Sequence, residues 1–183
     1  MQTQLLNLQQ AVLIQHNKEK TMITQSRLKE LFTYTPDGKF IRNKNGKEVI
    51  CSQTQQHKYL RIFIDGKAHM LHRMIFLYHH GYLPKITDHI DGNRYNNTIE
   101  NLREVNQSQN CLNRSHMKHS KSPFKNVYLQ KNHNRSDWKR NWVVALTVNG
   151  KRKYFGSFED LDLADLVAQE ARAKYHGAFA RNY

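Results

Sequence analysis

The spacing of apolar residues along the chain changes at Phe32. Before it, Gln, Asn and Lys are mixed with apolar residues at a spacing that favours a helix, although so polar a segment can fray. After it, short apolar runs alternate with turn residues. A Pro-Asp-Gly turn within 34–40 and an Asp-Gly turn within 59–70 each predict a β-hairpin. The pattern therefore predicts a helical or flexible segment over 1–31, followed by hairpins.

A helix is predicted over 71–81, because apolar residues recur there at positions i, i+3, i+4 and i+7 and Gly81 then ends the helix. Three histidines, His72, His79 and His80, lie in or near it. Metal binding is one interpretation of this group. The other is packing or a surface role, which the divergence of adjacent residues on a helix favours for the last two.

The region 86–113 predicts two short strands and a helix. The strands are expected at 86–90 and 102–105, with an Asp-Gly-Asn turn after the first, and Asn106 can cap the helix that follows the second. The next stretch is polar and basic, which is typical of a linker, and we place that linker at 114–122.

The C-terminal part predicts a small sheet and one helix. Asn149-Gly150 is a strong two-residue hairpin turn, and an amphipathic helix follows over 161–175. The strands are expected at 126–130, 142–148 and 153–158. The buried stripe of the helix is expected to contain Leu163, Leu166, Val167 and Ala171. Strands and helices in this order predict an α+β fold.

Composition points to a nucleic-acid partner. The chain has 183 residues, a formal net charge of +14 and two cysteines without a CxxC pair. A membrane span needs about 18 consecutive apolar residues, and no run approaches that length, so we expect a soluble protein without membrane contact. The charge is +9 over 1–121 and +5 over 122–183, which indicates a polyanion ligand, although a merely soluble surface is the alternative. RNA fits the charge as well as DNA does.

Four residues suggest phosphodiester hydrolysis: Asp88, His89, Asn101 and Asn110. Histidine is suited to deprotonate water, and a carboxylate with an amide oxygen suits a hard cation such as Mg²⁺. Because strand side chains alternate, Asp88 and His89 face opposite ways, so one can hold metal while the other faces water. Asn110 would be the second ligand, and Asn101 would orient the imidazole. Ordinary turn and capping chemistry is the alternative explanation for all four.

Residues 71–113 resemble the HNH (ββα-metal) endonucleases of phage and intron-encoded homing enzymes. The segments that carry the resemblance are 71–76, 81–84, 88–94, 96–97, 99–103 and 108–110. The resemblance implies that His89 is the general base, Asn101 its positioning residue, and Asp88 and Asn110 the ligands of one divalent ion, Mg²⁺ or Mn²⁺. The chain lacks the paired CxxC zinc clusters of some relatives, so no structural zinc is expected.

The C-terminal part contains the segments 124–128, 154–158 and 176–182, with Trp142 in its second strand and an Ala-rich helix. Through these segments, residues 122–183 resemble the Apetala-type (ethylene-response-factor) DNA-binding domain, in which a three-stranded sheet backed by a helix lies in the major groove. Ala145 and Thr147 replace the usual Glu and Arg of that family, so its base preference should not carry over. The expected DNA-contacting residues are Lys125, Trp142, Arg152 and Tyr154, with Arg114, Lys118 and Lys121 from the linker. Core packing of the two aromatics and a solvated face for the basic residues are the alternatives.

Together these observations predict a metal-dependent DNA endonuclease of the homing type, which binds double-stranded DNA and nicks it as a monomer, or cuts both strands as a dimer. The resemblance places it in the cytoplasm of a phage-infected bacterium. A DNA-binding regulator without catalytic activity is the alternative. The expected domains are 1–31, a nuclease over 32–113, the linker 114–122 and a DNA-binding domain over 123–183.

Overall fold

The computed structural model describes residues 22–53, 58–113, 121–130 and 141–181. In chain order its elements are α1 (Gln25–Leu31), β1 (Phe32–Thr35), β2 (Lys39–Arg42), β3 (Arg61–Ile64), β4 (Lys67–Met70), α2 (Leu71–His80), β5 (Thr87–His89), β6 (Leu102–Glu104), α3 (Gln107–Leu112), β7 (Val127–Leu129), β8 (Trp142–Val148), β9 (Lys151–Phe158) and α4 (Leu161–His176). The mixture of helices and small antiparallel sheets confirms the α+β class. No helix in the described ranges is long and apolar enough to cross a bilayer.

The chain divides into two compact units. Among the described residues, the first unit holds 22–53, 58–89 and 93–104, and the second holds 90–92 and everything described from 105 onward. Helix α3 thus packs with the C-terminal unit. The predicted domain boundaries are not tested by this division, because most of the predicted linker lies outside the described residues, so they stay a prediction.

The first unit is built around α2 and two hairpins. Strands β1 and β2 form one antiparallel pair and β3 and β4 another, as the turn residues predict. Helix α2 ends at Gly81, which adopts φ 79°. The core contains Leu28, Phe32, Phe40, Val49, Ile62, Ile64, Leu71, Met74, Ile75, Phe76, Leu77 and Leu102. Because Leu28 belongs to α1, the last turns of the predicted N-terminal segment are part of the folded core.

The turn of the first hairpin approaches the loop that precedes β6. Gly38 has φ +79°, and a Cβ built on it would lie 2.6 Å from the carbonyl carbon of Asn97. The Tyr34 hydroxyl accepts a 3.0 Å hydrogen bond from the Ile99 backbone N–H. The hairpin therefore fixes the backbone on both sides of residue 98, and only glycine fits at the turn.

The second unit contains the predicted three-stranded antiparallel sheet, in the order β7-β8-β9. Asn149 and Gly150 form the turn between β8 and β9, with φ 51° and 76°. Helix α4 begins at the N-cap Asp160 and covers one face of the sheet. The core between them contains Val127, Val144, Leu146, Ala164, Ala168 and Ala171.

The predicted buried stripe of α4 is wrong in part. Leu163 and Leu166 are 48% and 54% exposed, whereas Ala164 and Ala168 are fully buried. Both stripes repeat at helical spacing, so periodicity does not choose between them. The small alanine side chains allow the helix to approach the sheet closely, and this packing decides which stripe faces inward.

Candidate active site

The short hairpin β5–β6 carries the predicted Asp-His pair. Its register pairs Asp88 with Arg103 and His89 with Leu102. Because adjacent strand residues point to opposite faces, Asp88 and His89 have different surroundings. The His89 side chain is turned inward and is 4% exposed. Strand alternation accounts for the opposite directions of the two side chains, whereas the predicted exposure of His89 to an attacking water stays a prediction.

His89 is held by Asn97 of the loop before β6. Its Nε2 lies 3.0 Å from Asn97 Oδ1, and the Asn97 residue is 2% exposed. Asn97 Nδ2 donates to the Tyr95 backbone carbonyl at 3.2 Å, which fixes the orientation of the amide. An amide oxygen can only accept, so Nε2 of the neutral imidazole carries the hydrogen. In this tautomer Nδ1 is the nitrogen without a hydrogen.

Aromatic rings surround the imidazole. The His72 ring of α2 has its centroid 5.1 Å from that of His89, and the Tyr59 ring stacks at 6.0 Å with an interplanar angle of 18°. The exposed Arg94 guanidinium lies over Tyr59, 5.4 Å from the ring centroid. Burial, and next the neighbouring His89, lower the pKa of His72 to about 3, so His72 is neutral at physiological pH.

Asp88 is paired with an arginine on the partner strand. Its Oδ2 accepts from Nε and Nη2 of Arg103 at 3.1 and 3.0 Å. The two side chains are 11% and 15% exposed, so the ion pair is largely shielded from water. Neither Arg103 nor Asn97 is among the residues that the sequence assigned to the site. Each lies in a segment that carries the family resemblance, but the pattern gives no role to either.

The two other predicted asparagines lie in different units. Asn101, in the first unit, is buried and donates from Nδ2 to the Asn96 carbonyl at 2.7 Å. Asn110 lies on α3 in the second unit. The hydrogen bond that the structure gives to His89 Nε2 comes from Asn97, so the orienting role predicted for Asn101 stays a prediction.

The donor set can be compared with the needs of a divalent ion. Within the described ranges, no group of three or more His, Cys, Asp or Glu side chains is placed to bind a metal. Mg²⁺ takes one or two protein carboxylates and keeps several waters, so it does not need such a group. The Asp88 carboxylate is a donor of the right type, and a metal ion bound there would share it with, or take it from, Arg103.

In the second unit, basic and aromatic side chains lie on the face of the sheet opposite α4. Tyr154 is 61% exposed, and the Arg152 guanidinium lies 5.0 Å from the Tyr128 ring centroid. The exposed Tyr128 was not predicted. The signal that could have found it is the alternation of Val127, Tyr128 and Leu129, in which only the middle residue faces outward.

Two of the predicted DNA-contacting residues are engaged inside the second unit. Trp142 packs against the core cluster, on the same side as Val144 and Leu146. Lys125 donates from Nζ to the Leu112 carbonyl at 2.6 Å. Period-two alternation along β8 turns Trp142 inward, because residues 142, 144 and 146 share one face. Lys121 is exposed, whereas Arg114 and Lys118 lie outside the described residues.

The chain is similar to several known proteins. One similar solved structure is described as DNA binding and cleavage by the HNH homing endonuclease I-HmuI. It matches 44% of this chain with 31% sequence identity and a TM-score of 0.37. The match spans 49%, about half, of that endonuclease chain. A family model described as HNH endonuclease matches residues 69–112. Protein 3.8 of Escherichia phage T7 is 31% identical over 119 residues, which are 63% of this chain and 91% of that protein. The chain therefore belongs to the family of the phage T7 protein 3.8, and its residues 69–112 match the HNH endonuclease model.

Proposed function

We propose that the protein is a metal-dependent DNA endonuclease that nicks double-stranded DNA, with the β5–β6 hairpin at the reaction centre and the β7–β9 sheet as a DNA-binding surface. The observation that carries the proposal is the fixed imidazole of His89. A buried amide sets its tautomer and orientation, which a general base requires and a merely packed histidine does not.

In the proposed reaction, His89 Nδ1 accepts a proton from a water molecule. The water oxygen forms a bond to the scissile phosphorus as the bond from phosphorus to the 3′ oxygen breaks. The departing 3′ oxygen takes a proton from solvent water, which leaves a 5′-phosphate and a 3′-hydroxyl. Asn97 Oδ1 accepts from Nε2–H throughout, and this contact stabilises the imidazolium that forms. With one such site among the described residues, a single binding event would produce a nick.

A divalent ion, Mg²⁺ or Mn²⁺, would supply charge neutralisation at the phosphate and the departing oxygen when bound. Asp88 would hold it with Asn110. The carboxylate supports this role by its chemical type, while the assignment of Asn110 rests on the sequence pattern alone. Arg103, which donates to Asp88 in this structure, would supply a positive charge beside the ion and the phosphate.

Two observations favour the alternative of a DNA-binding regulator without catalytic activity. His89 is only 4% exposed, and the Asp88 carboxylate already has a cationic partner in Arg103. In that case Asp88–Arg103 is a structural ion pair that closes the hairpin. Cleavage assays separate the two functions, because only the nuclease depends on the His89 imidazole.

For the second unit, we propose DNA binding of the Apetala type. A three-stranded antiparallel sheet with one helix on its inner face supports this, as do the outward-facing Arg152, Tyr154 and Tyr128. Arginine and tyrosine on such a face can contact phosphates and sugars and fix the orientation of the duplex. The exposed Lys121 adds a further positive charge, and the predicted Arg114 and Lys118 would extend it.

The test is incubation of the purified protein with supercoiled plasmid and with phage genomic DNA, in Mg²⁺ or in chelator, beside His89→Ala. We expect metal-dependent conversion to open circles or to discrete fragments, which the variant does not produce. Open circles indicate nicking, and linear molecules indicate a double-strand break. Tight DNA binding by both proteins without cutting on either substrate in Mg²⁺ or Mn²⁺ supports the regulator.

A further inference from the structure

The helix that carries Asn110 is too short to be stable in isolation. Helix α3 has six residues, and none of them is buried. Its N-terminus is closed by a capping box between Asn106 and Gln109. Isolated helices shorter than about 12–15 residues are marginal in water, so α3 depends on contacts outside its own backbone.

The opposite end of α3 is bound by Lys125. The Lys125 Nζ donates to the backbone carbonyl of Leu112, the last residue of α3, at 2.6 Å. Carbonyl groups in the last turn of a helix lack partners within the helix, and a cation there also opposes the negative end of the helix dipole. Burial, and next the charges of Arg172 and Arg181, lower the pKa of Lys125 to about 8, so the ammonium is still charged at neutral pH.

Lys125 is itself fixed from α4. Its backbone carbonyl accepts from Nη1 of Arg172, whose side chain is completely buried. Arg172 Nη2 lies 3.6 Å from Asp165 Oδ1, about two turns earlier in the same helix. A chain of contacts therefore runs from α4 through Lys125 to the C-terminal end of α3.

A cavity makes this contact more important. A space of about 630 Å³ is lined by α3, by the turn between β8 and β9, and by the end of α4 around Tyr175 and His176. Side chains do not fill the region between α3 and these elements. Lys125 and Leu112 both line this cavity, so their hydrogen bond joins two parts of its wall where side-chain packing is missing.

We propose that Lys125 is a positioning residue of the nuclease: it holds α3 in place and thereby presents Asn110 to the divalent ion. The inference rests on the proposed function, in which Asn110 is a metal ligand. It replaces the DNA contact predicted for Lys125.

The test measures Mn²⁺ binding to the full chain by electron paramagnetic resonance, without DNA. Lys125→Met removes the donor and keeps most of the stem, while Lys125→Arg keeps a charged donor. Lys151→Met removes one charge from an exposed position in the same unit. Loss of a group that orients a ligand typically weakens metal affinity about 10-fold or more, and we expect that loss for Lys125→Met alone, with recovery in Lys125→Arg.

Hydrogen exchange separates a local role from a general one. In Lys125→Met we expect faster exchange of the amides of α3 and unchanged exchange along β8. Faster exchange in both elements would make Lys125 a general stabiliser of the unit and would overturn the inference.

Asn110→Ala separates the inference from the proposed function. If it weakens Mn²⁺ binding while Lys125→Met does not, the positioning role is wrong and the proposed function stands. If Asn110→Ala binds Mn²⁺ as the unaltered protein does, the ligand assignment itself fails, and the inference fails with it.

Discussion

The β5–β6 hairpin and the outer face of the β7–β9 sheet expose their polar groups very differently. In the hairpin, His89, Asn97 and Asn101 are buried and hydrogen-bonded. On the sheet, Tyr154 and Arg152 are exposed. The first region holds a few polar groups in one fixed geometry. The second exposes several groups that can contact a large ligand together.

This difference has an energetic consequence. A buried polar group that loses its partner keeps the full cost of its desolvation, so a single change in the hairpin has a large effect. An exposed cation loses only one of many screened contacts with a polyanion, so a single change on the sheet has a small, salt-dependent effect. The following predictions test this contrast.

The largest effect is expected for His89→Ala. Because a positioned general base contributes 10²–10⁴-fold, we expect the single-turnover cleavage rate to fall about 10³-fold. DNA affinity at a fixed salt concentration should stay within about twofold, since the proposed role of the imidazole is to deprotonate water and not to bind the DNA backbone. Equal loss of cleavage and of DNA affinity would mean that His89 has a structural role.

The next effect distinguishes the two asparagines near His89. Asn97→Ala removes the acceptor for Nε2–H, and we expect the cleavage rate to fall about 10–100-fold, the usual cost of losing a group that orients an active residue. Asn101→Ala, measured beside it, should cost less, since its amide donates to a backbone carbonyl. The reverse ranking would restore the orienting role to Asn101.

A third prediction concerns acid stability of the first unit. The pKa of His72 is about 3 when folded and near 6.5 when unfolded, so below pH 6.5 the unfolded state binds a proton that the folded state does not. The free energy of unfolding should therefore fall by about 1.4 kcal/mol per pH unit as pH decreases from 6.5 toward 3. Above pH 6.5 both states hold His72 neutral, so His72 causes no loss of stability there.

Urea titrations at several pH values would measure this pH dependence of the free energy of unfolding. His72→Gln should remove that part of the slope, and His80→Gln at an exposed position of the same helix is the matched control. An unchanged slope in His72→Gln would show that His72 is accessible to protons in the folded protein.

The smallest effects are expected on the sheet. Arg152→Ala should weaken DNA binding about fivefold and reduce the slope of log affinity against log salt by about 1, with the cleavage rate at saturating DNA unchanged. Tyr154→Ala should weaken binding to a similar extent without changing the slope. Trp142→Ala should instead lower the melting temperature, because this ring packs in the core. Loss of cleavage at saturating DNA in Arg152→Ala would contradict a role of Arg152 in binding alone.

Much of the local structure could be predicted from the sequence. Gly81 ends α2 and Asn106 caps α3, as expected, because caps and tight turns depend on residues only a few positions apart. Strand β8 has the predicted bounds, Trp142–Val148, since an apolar run leads directly into the Asn-Gly turn. The Asp-His pair on a short strand was predicted as well.

What could not be predicted depends on contacts between distant parts of the chain. The partner of His89 Nε2 is Asn97, which the first hairpin fixes through Gly38 and Tyr34 from about sixty residues away. Nothing in the local pattern distinguishes Asn97 from Asn96 or Asn101. Likewise, Arg103 meets Asp88 because of the register of the β5–β6 hairpin.

The sequence by itself determined the order of the elements, their turns and caps, the positive charge and the residue types that a nuclease needs, because each of these follows from local periodicity or from composition. The tertiary structure decided that the alanine stripe of α4 faces the sheet and not the stripe with Leu163 and Leu166. It also decided that Trp142 turns inward and that the Lys125 ammonium binds the end of α3. These outcomes follow from packing and hydrogen-bond satisfaction among groups that are far apart in sequence, and such competition is settled only when the chain is folded.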